Sequence, residues 1–467
     1  MATKAFDKRA AYENKKTDLQ KEVSVLLQSQ TNNLDLNKTT SNLFRNPTRY
    51  QEKTAKSAKI NVKHFDKVID VDAENLIAEI EGMATYETIV QETLKYHCLP
   101  TVVPELKSIT IGGALAGIGI ESSSFRYGLV HETILEYEIL TGDGQVVVCR
   151  PDNEHKDLYY AFPNSYGTIG YELKVKVKLI PTKPNVKHTH QQFDNSTLYF
   201  ETLNKLCLQN REQSIKSDKE GKNYIDGVVF DKNNMIITTA EFVDKAPFLS
   251  NYKYLNIYYL SLLKKKTDYL SPLDYIWRWD PDWFWCSKHF FMQNKLLRLL
   301  FGKWMLKSTT YWKIRLFFNK NKFAGNLLEK ALGRTESVIQ DIEVPIQNAE
   351  SFLDFFQTEI GIKPIWICPI MPLQKDSLYS FYKMTPNTLY INFGFWDMIP
   401  SDKPAGYYNK KIEAKVQELG GNKSLYSKTF YTQEQFWSIY DKELYDSLKK
   451  KYDPNNILKD LYQKCIN

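Results

Sequence analysis

The sequence predicts an α+β fold in two units, on three observations. The chain has 467 residues, too many for one ordinary core. Its apolar runs are short, and they mix with helical stretches too densely for a regular array of strand–helix–strand repeats. Composition then shifts at Pro181-Thr182-Lys183-Pro184, after which loops lengthen and aromatics multiply.

The elements follow in order. Residues 8 to 28 read as a helix ending in the apolar run Val23, Val25, Leu26, Leu27. Lys59 to Val62, Val68 to Val71 and Leu76 to Ile80 alternate as strands, the last two separated by a turn at 72–75. Thr85 to Lys95 has helical spacing, Thr101 to Val103 a short strand closed by Pro104, and 108–128 a glycine-rich loop. Ile134 to Leu140 and Gln145 to Cys149 flank Gly142-Asp143-Gly144 as a hairpin. Asp157 to Phe162 is helical. Tyr171 to Ile180 alternates Lys174, Lys176 and Lys178 with Leu173, Val175, Val177 and Leu179, the pattern of a half-buried strand. Beyond the boundary, strands are expected at 226–230, 235–240, 342–345, 365–369 and 389–393, forming one antiparallel sheet. Helices are expected at 349–358, 408–419 and 432–450. The domain reading is 1–184, 185–440, and a segment 441–467 returning to the first unit.

Hydrophobic content of 43% and charged content of 25% are those of a globular protein in water. The net charge of +7 is mild for this length, and no nucleic-acid-binding module is present. The six cysteines stand apart, without CxxC pairs or zinc spacing, so neither a disulfide framework nor a metal site is expected and a reducing compartment is. The first thirty residues lack the apolar region of a signal peptide, and no run of about 18 apolar residues exists to cross a membrane.

Two glycine-rich segments carry the chemistry. In the first, Gly112, Gly113, Gly117 and Gly119 expose backbone amides and admit a close ligand, and Ile120-Glu121-Ser122-Ser123-Ser124 with Tyr127-Gly128 follows. The second is Ser165-Tyr166-Gly167-Thr168-Ile169-Gly170. Both suit a pyrophosphate or the edge of a flat ring, or else a structural turn. The dinucleotide fingerprint of the Rossmann fold is absent, because Gly117-x-Gly119 lacks its third glycine and its strand–turn–helix context.

Taken with Val103-Pro104-Glu105-Leu106, Asp157-Leu158-Tyr159-Tyr160-Ala161, Pro364 to Pro369 and Glu434 to Trp437, these runs resemble the FAD-linked oxidoreductases of the p-cresol methylhydroxylase/vanillyl-alcohol-oxidase fold. Within that fold the resemblance is to the sterol side-chain reductases that act on 24-dehydrocholesterol, and it spans roughly residues 40 to 445. It implies a two-part FAD-binding domain, an α+β cap over the substrate, and reduction of a carbon–carbon double bond with NADPH as hydride source. It also implies Glu121 as a proton-handling or positioning residue, since a carboxyl in an apolar pocket has a raised pKa. The bacterial lipid-linked-sugar oxidases of the fold carry an active-site lysine where Lys428 stands. That residue is a second catalytic candidate, for a polar head group or for charge on the reduced flavin. Where such proteins attach flavin covalently they use a histidine in the segment matching 37–46. This chain has none there, so FAD is expected to be bound non-covalently.

Between Trp283 and Leu328 the chain has nine Lys/Arg, twelve aromatics and no Asp or Glu. That composition predicts a peripheral, non-spanning contact with anionic lipid, the other reading being a basic surface over an aromatic core. Three functions are in view: reduction of a sterol-like or isoprenoid double bond, oxidation of a hydroxyl on a lipid-linked sugar, and a flavin-free membrane-binding protein.

Overall fold

The computed structural model describes residues 2–29, 33–38, 40–44, 57–216, 221–306, 308, 310, 333–375 and 379–466. The first helix, Ala2–Gln28, buries Tyr12, Leu19 and Val23. Its Tyr12 hydroxyl donates to Glu138 at 2.8 Å, tying it to the sheet below. Two short strands, β1 (Asn33–Asn37) and β2 (Ser57–Asn61), pair in parallel beside it.

The first unit is a six-stranded antiparallel sheet of β3 (Val68–Asp72), β4 (Ile77–Glu81), β5 (Cys98–Pro100), β6 (Ile134–Leu140), β7 (Val146–Cys149) and β8 (Tyr171–Pro181). Its order is β3-β4-β8-β6-β7, with β5 also on β8. The alternation read from β8 is realised: Leu173, Val175 and Val177 are buried, and the lysines form ion pairs across the sheet. Lys174 meets Glu138 at 2.7 Å and Lys176 meets Glu136 at 3.0 Å.

The second unit is one antiparallel sheet of eight strands. These are β9 (Asn185–Phe193), β10 (Tyr224–Asp231), β11 (Asn234–Val243), β12 (Thr267–Leu270), β13 (Thr335–Pro345), β14 (Ile365–Ile370), β15 (Tyr390–Pro400) and β16 (Asn422–Lys423). They run in the order β12-β9-β11-β10-β14-β15-β13-β16. Helices Ser196–Lys216, Ile346–Phe355 and Tyr407–Glu418 bury Leu203, Phe352 and Ile412 in a common core with the strand residues Ile225, Ile367 and Phe393. The C-terminal helix Lys442–Tyr452 lies on the first unit, where Tyr452 donates to Asp157 at 2.7 Å and its carbonyl accepts from Gly142 at 2.7 Å.

Several elements depart from expectation. The strand expected at 101–103 lies at Cys98–Pro100, where Leu99 pairs with Ile180 and the edge of β8 ends. Inside the expected loop, Ile111–Gly117 forms a helix: Thr110 accepts from the Gly113 amide at 3.1 Å, and packing overrides the poor propensity of its glycines. The expected helix 432–450 is two, Gln433–Ile439 and Lys442–Tyr452, the second capped by Asp441 on the Leu444 amide at 3.0 Å. The helix Ser196–Lys216 and strands β1, β9 and β12 were not foreseen. Among the described residues, no helix is long and apolar enough to cross a membrane.

Candidate functional site

A cavity of about 650 Å³ opens between the glycine-rich helix of the first unit and the eight-stranded sheet. That lies within the range of small-molecule and cofactor sites, roughly 300–1,000 Å³. One wall is rich in glycine. Gly112, Gly113, Gly117, Gly119 and Gly167 line it, with Ala114, Ala116, Ile118, Ile120 and Tyr166 among them. At two of these glycines packing leaves no room for a side chain. A Cβ on Gly112 would overlap the Glu172 carboxyl, and one on Gly119 would come within 2.6 Å of Val130 Cγ2.

The opposite wall is aromatic. Phe284, Trp366 on β14 and Trp396 on β15 gather there, with Phe284 and Trp396 at 4.2 Å between ring centroids and Trp366 and Phe284 at 5.6 Å. A polar relay is set into this wall. Trp396 Nε1 donates to the Tyr426 hydroxyl at 3.1 Å, and Tyr426 donates to Asp341 Oδ2 at 2.8 Å. Asn392 donates to the other Asp341 oxygen at 3.0 Å. Burial lifts the Asp341 pKa to about 6 against these two donors.

Lys38, Lys459 and Lys464 also line the cavity, together with Glu172. Burial lifts Glu172 to about 7, with Lys38 and Lys464 pulling against it. Ammonium groups are donors that a diphosphate needs, whereas the Gly112 and Gly113 amides are spent within the protein, on the Gly82 carbonyl at 2.9 Å and on Thr110 Oγ1 at 3.1 Å.

Behind the glycine wall lies a buried charge cluster. Arg278, fully buried, packs 4.2 Å from the centroid of the Tyr275 ring. Its Nη2 donates to Glu121 Oε1 at 3.1 Å, to Ser122 Oγ at 3.2 Å and to Asp226 Oδ2 at 2.8 Å. Burial opposes its charge, yet Tyr275, Glu121 and Asp226 hold its pKa well above the ordinary range. Trp366 Nε1 reaches the same Asp226 oxygen at 3.4 Å, so the cluster buttresses the aromatic wall as well. Glu105 stands between this cluster and the cavity. It lines the cavity and is 6% exposed, and its Oε1 has no hydrogen-bond partner among the described residues. Burial first, and the neighbouring Glu121 second, raise its pKa well above the carboxylate range.

The residues singled out from sequence therefore divide. The glycines up to Gly119, with Ile120 and Gly167, reach the cavity; Glu121, Ser122, Ser123, Ser124, Tyr127, Gly128, Ser165, Thr168, Ile169 and Gly170 stand outside its lining. The serine hydroxyls make hydrogen bonds within the protein. Ser122 donates to Glu121, Ser123 to the Thr101 carbonyl at 2.7 Å, and Ser124 accepts from the Glu121 amide at 3.2 Å. Lys428 is also outside the lining, and its segment presents Ser424 and Tyr426 instead. Sequence reasoning missed Glu105, Asp341, Trp366, Trp396 and Arg278 as site residues. Glu105 sat in a quoted motif, but nothing local marked it as facing a cavity.

Part of the stretch read as lipid-facing, 283–328, is buried. Trp283, Phe284 and Trp285 are buried, and Arg298 is buried in a two-pronged pair with Asp282 at 2.6 and 3.2 Å, so none of the four meets solvent. Phe291, Leu296, Leu299, Leu300 and Phe301 are exposed on and beside the helix Lys295–Met305. Residues 311–328 lie outside the described residues.

With this geometry in hand, the comparisons with known proteins fit. The profile of the FAD binding domain matches residues 41–150, the stretch that contains the glycine wall. The chain is an FAD-dependent oxidoreductase. It is similar over most of its length to Delta(24)-sterol reductases. The one from Homo sapiens is 29% identical over 428 residues, covering 88% of this chain and 78% of the human one. A Delta(24)-sterol reductase homolog of Caenorhabditis elegans is 28% identical over 454 residues, covering 90% and 80%. The Delta(24)-sterol reductase of Pisum sativum is 25% identical over 451 residues, covering 88% and 77%. The residues present fit an FAD: lysines beside glycines that admit a close ligand suit the diphosphate, and the gathered rings of Phe284, Trp366 and Trp396 suit the flat isoalloxazine.

Proposed function

We propose that this chain reduces a carbon–carbon double bond of a sterol-like or isoprenoid lipid, with FAD bound non-covalently and NADPH as the hydride source. The observation that carries this reading is the cavity's division into a glycine-rich wall with lysines and an apolar aromatic wall with buried acids. The similarity to proteins named Delta(24)-sterol reductase supports the choice of a double bond as the group reduced.

When bound, FAD supplies two-electron transfer. The chain's own residues do the rest. Gly112, Gly113, Gly117, Gly119, Ile120 and Gly167 hold the cofactor at close range, while the Ser122–Ser124 and Ser165–Gly170 runs brace that wall from behind. Glu121, clamped by Arg278, positions the wall against β10 and Trp366. Phe284, Trp366 and Trp396 exclude water from the reacting carbons. Residues 1–184 and 441–467 are assigned to cofactor binding and 185–440 to the cap. Lys428, on which oxidation of a lipid-linked sugar rested, has no part in this reading.

A lipid substrate also has to be collected. The outward Leu296, Leu299 and Leu300 on an amphipathic helix, in a stretch of sequence rich in Lys and Arg, suit peripheral contact with an anionic bilayer. The test of the whole reading is anaerobic mixing of FAD-loaded protein. NADPH should bleach the flavin absorbance, and a sterol bearing a side-chain double bond should restore it. Bleaching by an alcohol and not by NADPH would overturn the assignment.

A further inference from the structure

We propose that Glu105 is the acid that delivers the proton in this reduction, an inference that rests on the reading above. The π pair of the alkene takes a proton at one carbon, and hydride adds to the other, electron-poor carbon. Two C–H bonds form as the C=C π bond, the acid's O–H bond and the hydride donor's C–H bond break. NADPH is the reductant and becomes NADP+, Glu105 becomes a carboxylate, and water restores its proton.

The geometry separates Glu105 from the other acids of the cavity. Asp341 has both oxygens engaged by donors, Tyr426 and Asn392, an arrangement that favours the carboxylate against the burial that raises its pKa. Glu172 packs against Gly112, and Lys38 and Lys464 favour its carboxylate. Glu121 and Asp226 share the Arg278 guanidinium and lie outside the lining. Of these, Glu105 alone both lines the cavity and has a fully buried carboxyl oxygen that accepts from nothing described. It adjoins the glycine-rich wall, for a Cβ on Gly119 would come within 3.2 Å of Pro104 Cγ, on the residue before it.

The surroundings explain why a proton would stay there. Glu105 faces Glu121 from the same unit, Arg278 from beyond the helix Pro272–Ile276, and Cys368 from β14. Arg278 makes its hydrogen bonds to Glu121 and Asp226, so Glu105 is beside negative charge without a cation of its own. Three carboxyls grouped around one guanidinium in an apolar interior favour a proton on the member that does not bond the guanidinium and that shares a side-chain hydrogen bond with Glu121. Burial and Glu121 push its pKa in that direction, with Arg278 opposing.

The test uses FAD-loaded protein and two readouts. In infrared spectra without substrate, Glu105→Gln should remove a protonated-carboxyl C=O band present in the parent. In anaerobic stopped flow, NADPH should bleach the variant's flavin at the parent rate. Reoxidation by a side-chain-unsaturated sterol should be slowed by about 10²- to 10⁴-fold, the usual worth of a general acid. Retention of the infrared band, or reoxidation at the parent rate, would overturn the assignment. Should the glutamine variant not fold, Glu105→Asp keeps the acid but withdraws it by one methylene: slower reoxidation with unchanged bleaching supports the role, and equal rates refute it. Failure of the parent itself to respond to NADPH or sterol would instead sink the reduction reading, and the infrared comparison would still decide where the proton resides.

Discussion

The two walls of the cavity are made of opposite materials. The first-unit wall is a glycine-rich surface drawn mainly from one stretch of chain, Gly112 to Ile120, with Tyr166 and Gly167 added. The wall facing it is side chain, gathered from the loop at 283–284 and from β13, β14, β15 and the 424–426 segment. A glycine-rich wall is specified by what is missing, so a single added methyl group can damage it. A side-chain wall is specified by the agreement of distant strands, and it fails when the charges that hold those strands in place are removed.

The largest effect is expected at the buttress. Replacing Arg278 with Met leaves Glu121 and Asp226 buried without their cation and should cost about 3–5 kcal/mol of stability. Denaturant titration would measure this, and Glu121→Gln with Asp226→Asn in the same chain should recover much of it. A loss no greater than that of a surface substitution would mean the cluster does not hold the aromatic wall.

The glycine-rich wall should yield next. Gly119→Val drives its side chain into Val130 and Ala114, for a loss of about 1–3 kcal/mol, and should strip the protein of bound FAD. Flavin absorbance per protein and Tm together check it. Full retention of FAD would remove Gly119 from the cofactor wall.

The aromatic wall should respond to pH. The folded pKa of Asp341, about 6, lies above its unfolded value near 4, so the folded state binds more protons between the two. Its contribution to stability is therefore present below pH 4 and is lost as pH rises to 6. Asp341→Asn should match the parent at pH 4 and exceed it above pH 6, by on the order of 2 kcal/mol before solvent screening reduces it. Parallel stability curves for the two proteins would contradict this.

The smallest structural effect belongs to the outer helix. Leu299→Glu should change stability by no more than about 0.5 kcal/mol and leave flavin content unchanged, because Leu299 is 57% exposed. Cosedimentation with vesicles containing phosphatidylserine should nevertheless fall. Unchanged sedimentation would assign that face to some other task.

The contrast between the walls also explains what was legible in the sequence. The glycine run and the strand alternation of β8 are local signals, and both appear where they were read. The serines following Glu121 are equally local, yet their hydroxyls turn inward, because small polar residues satisfy neighbouring backbone as readily as a ligand. Asp341, Trp366 and Trp396 come together only through the β13–β15 and β14–β15 pairings, which no short window of residues reveals. Arg278 looked like one basic residue in an aromatic stretch; only its position between Glu121 and Asp226 gives it a role. The same limit misled the reading of Trp283 to Trp285, since composition alone does not distinguish aromatics that meet lipid from those that line a core.

The central claim, that a dinucleotide lies between the glycine-rich wall and the aromatic wall, is tested most directly by titrating FAD into the purified protein and following tryptophan fluorescence. With Trp283, Trp366 and Trp396 lining the cavity, emission should be quenched to an endpoint at one FAD per chain, and acid should release the flavin intact. Emission that does not change as FAD is added, in a protein that is colourless as purified, would contradict it.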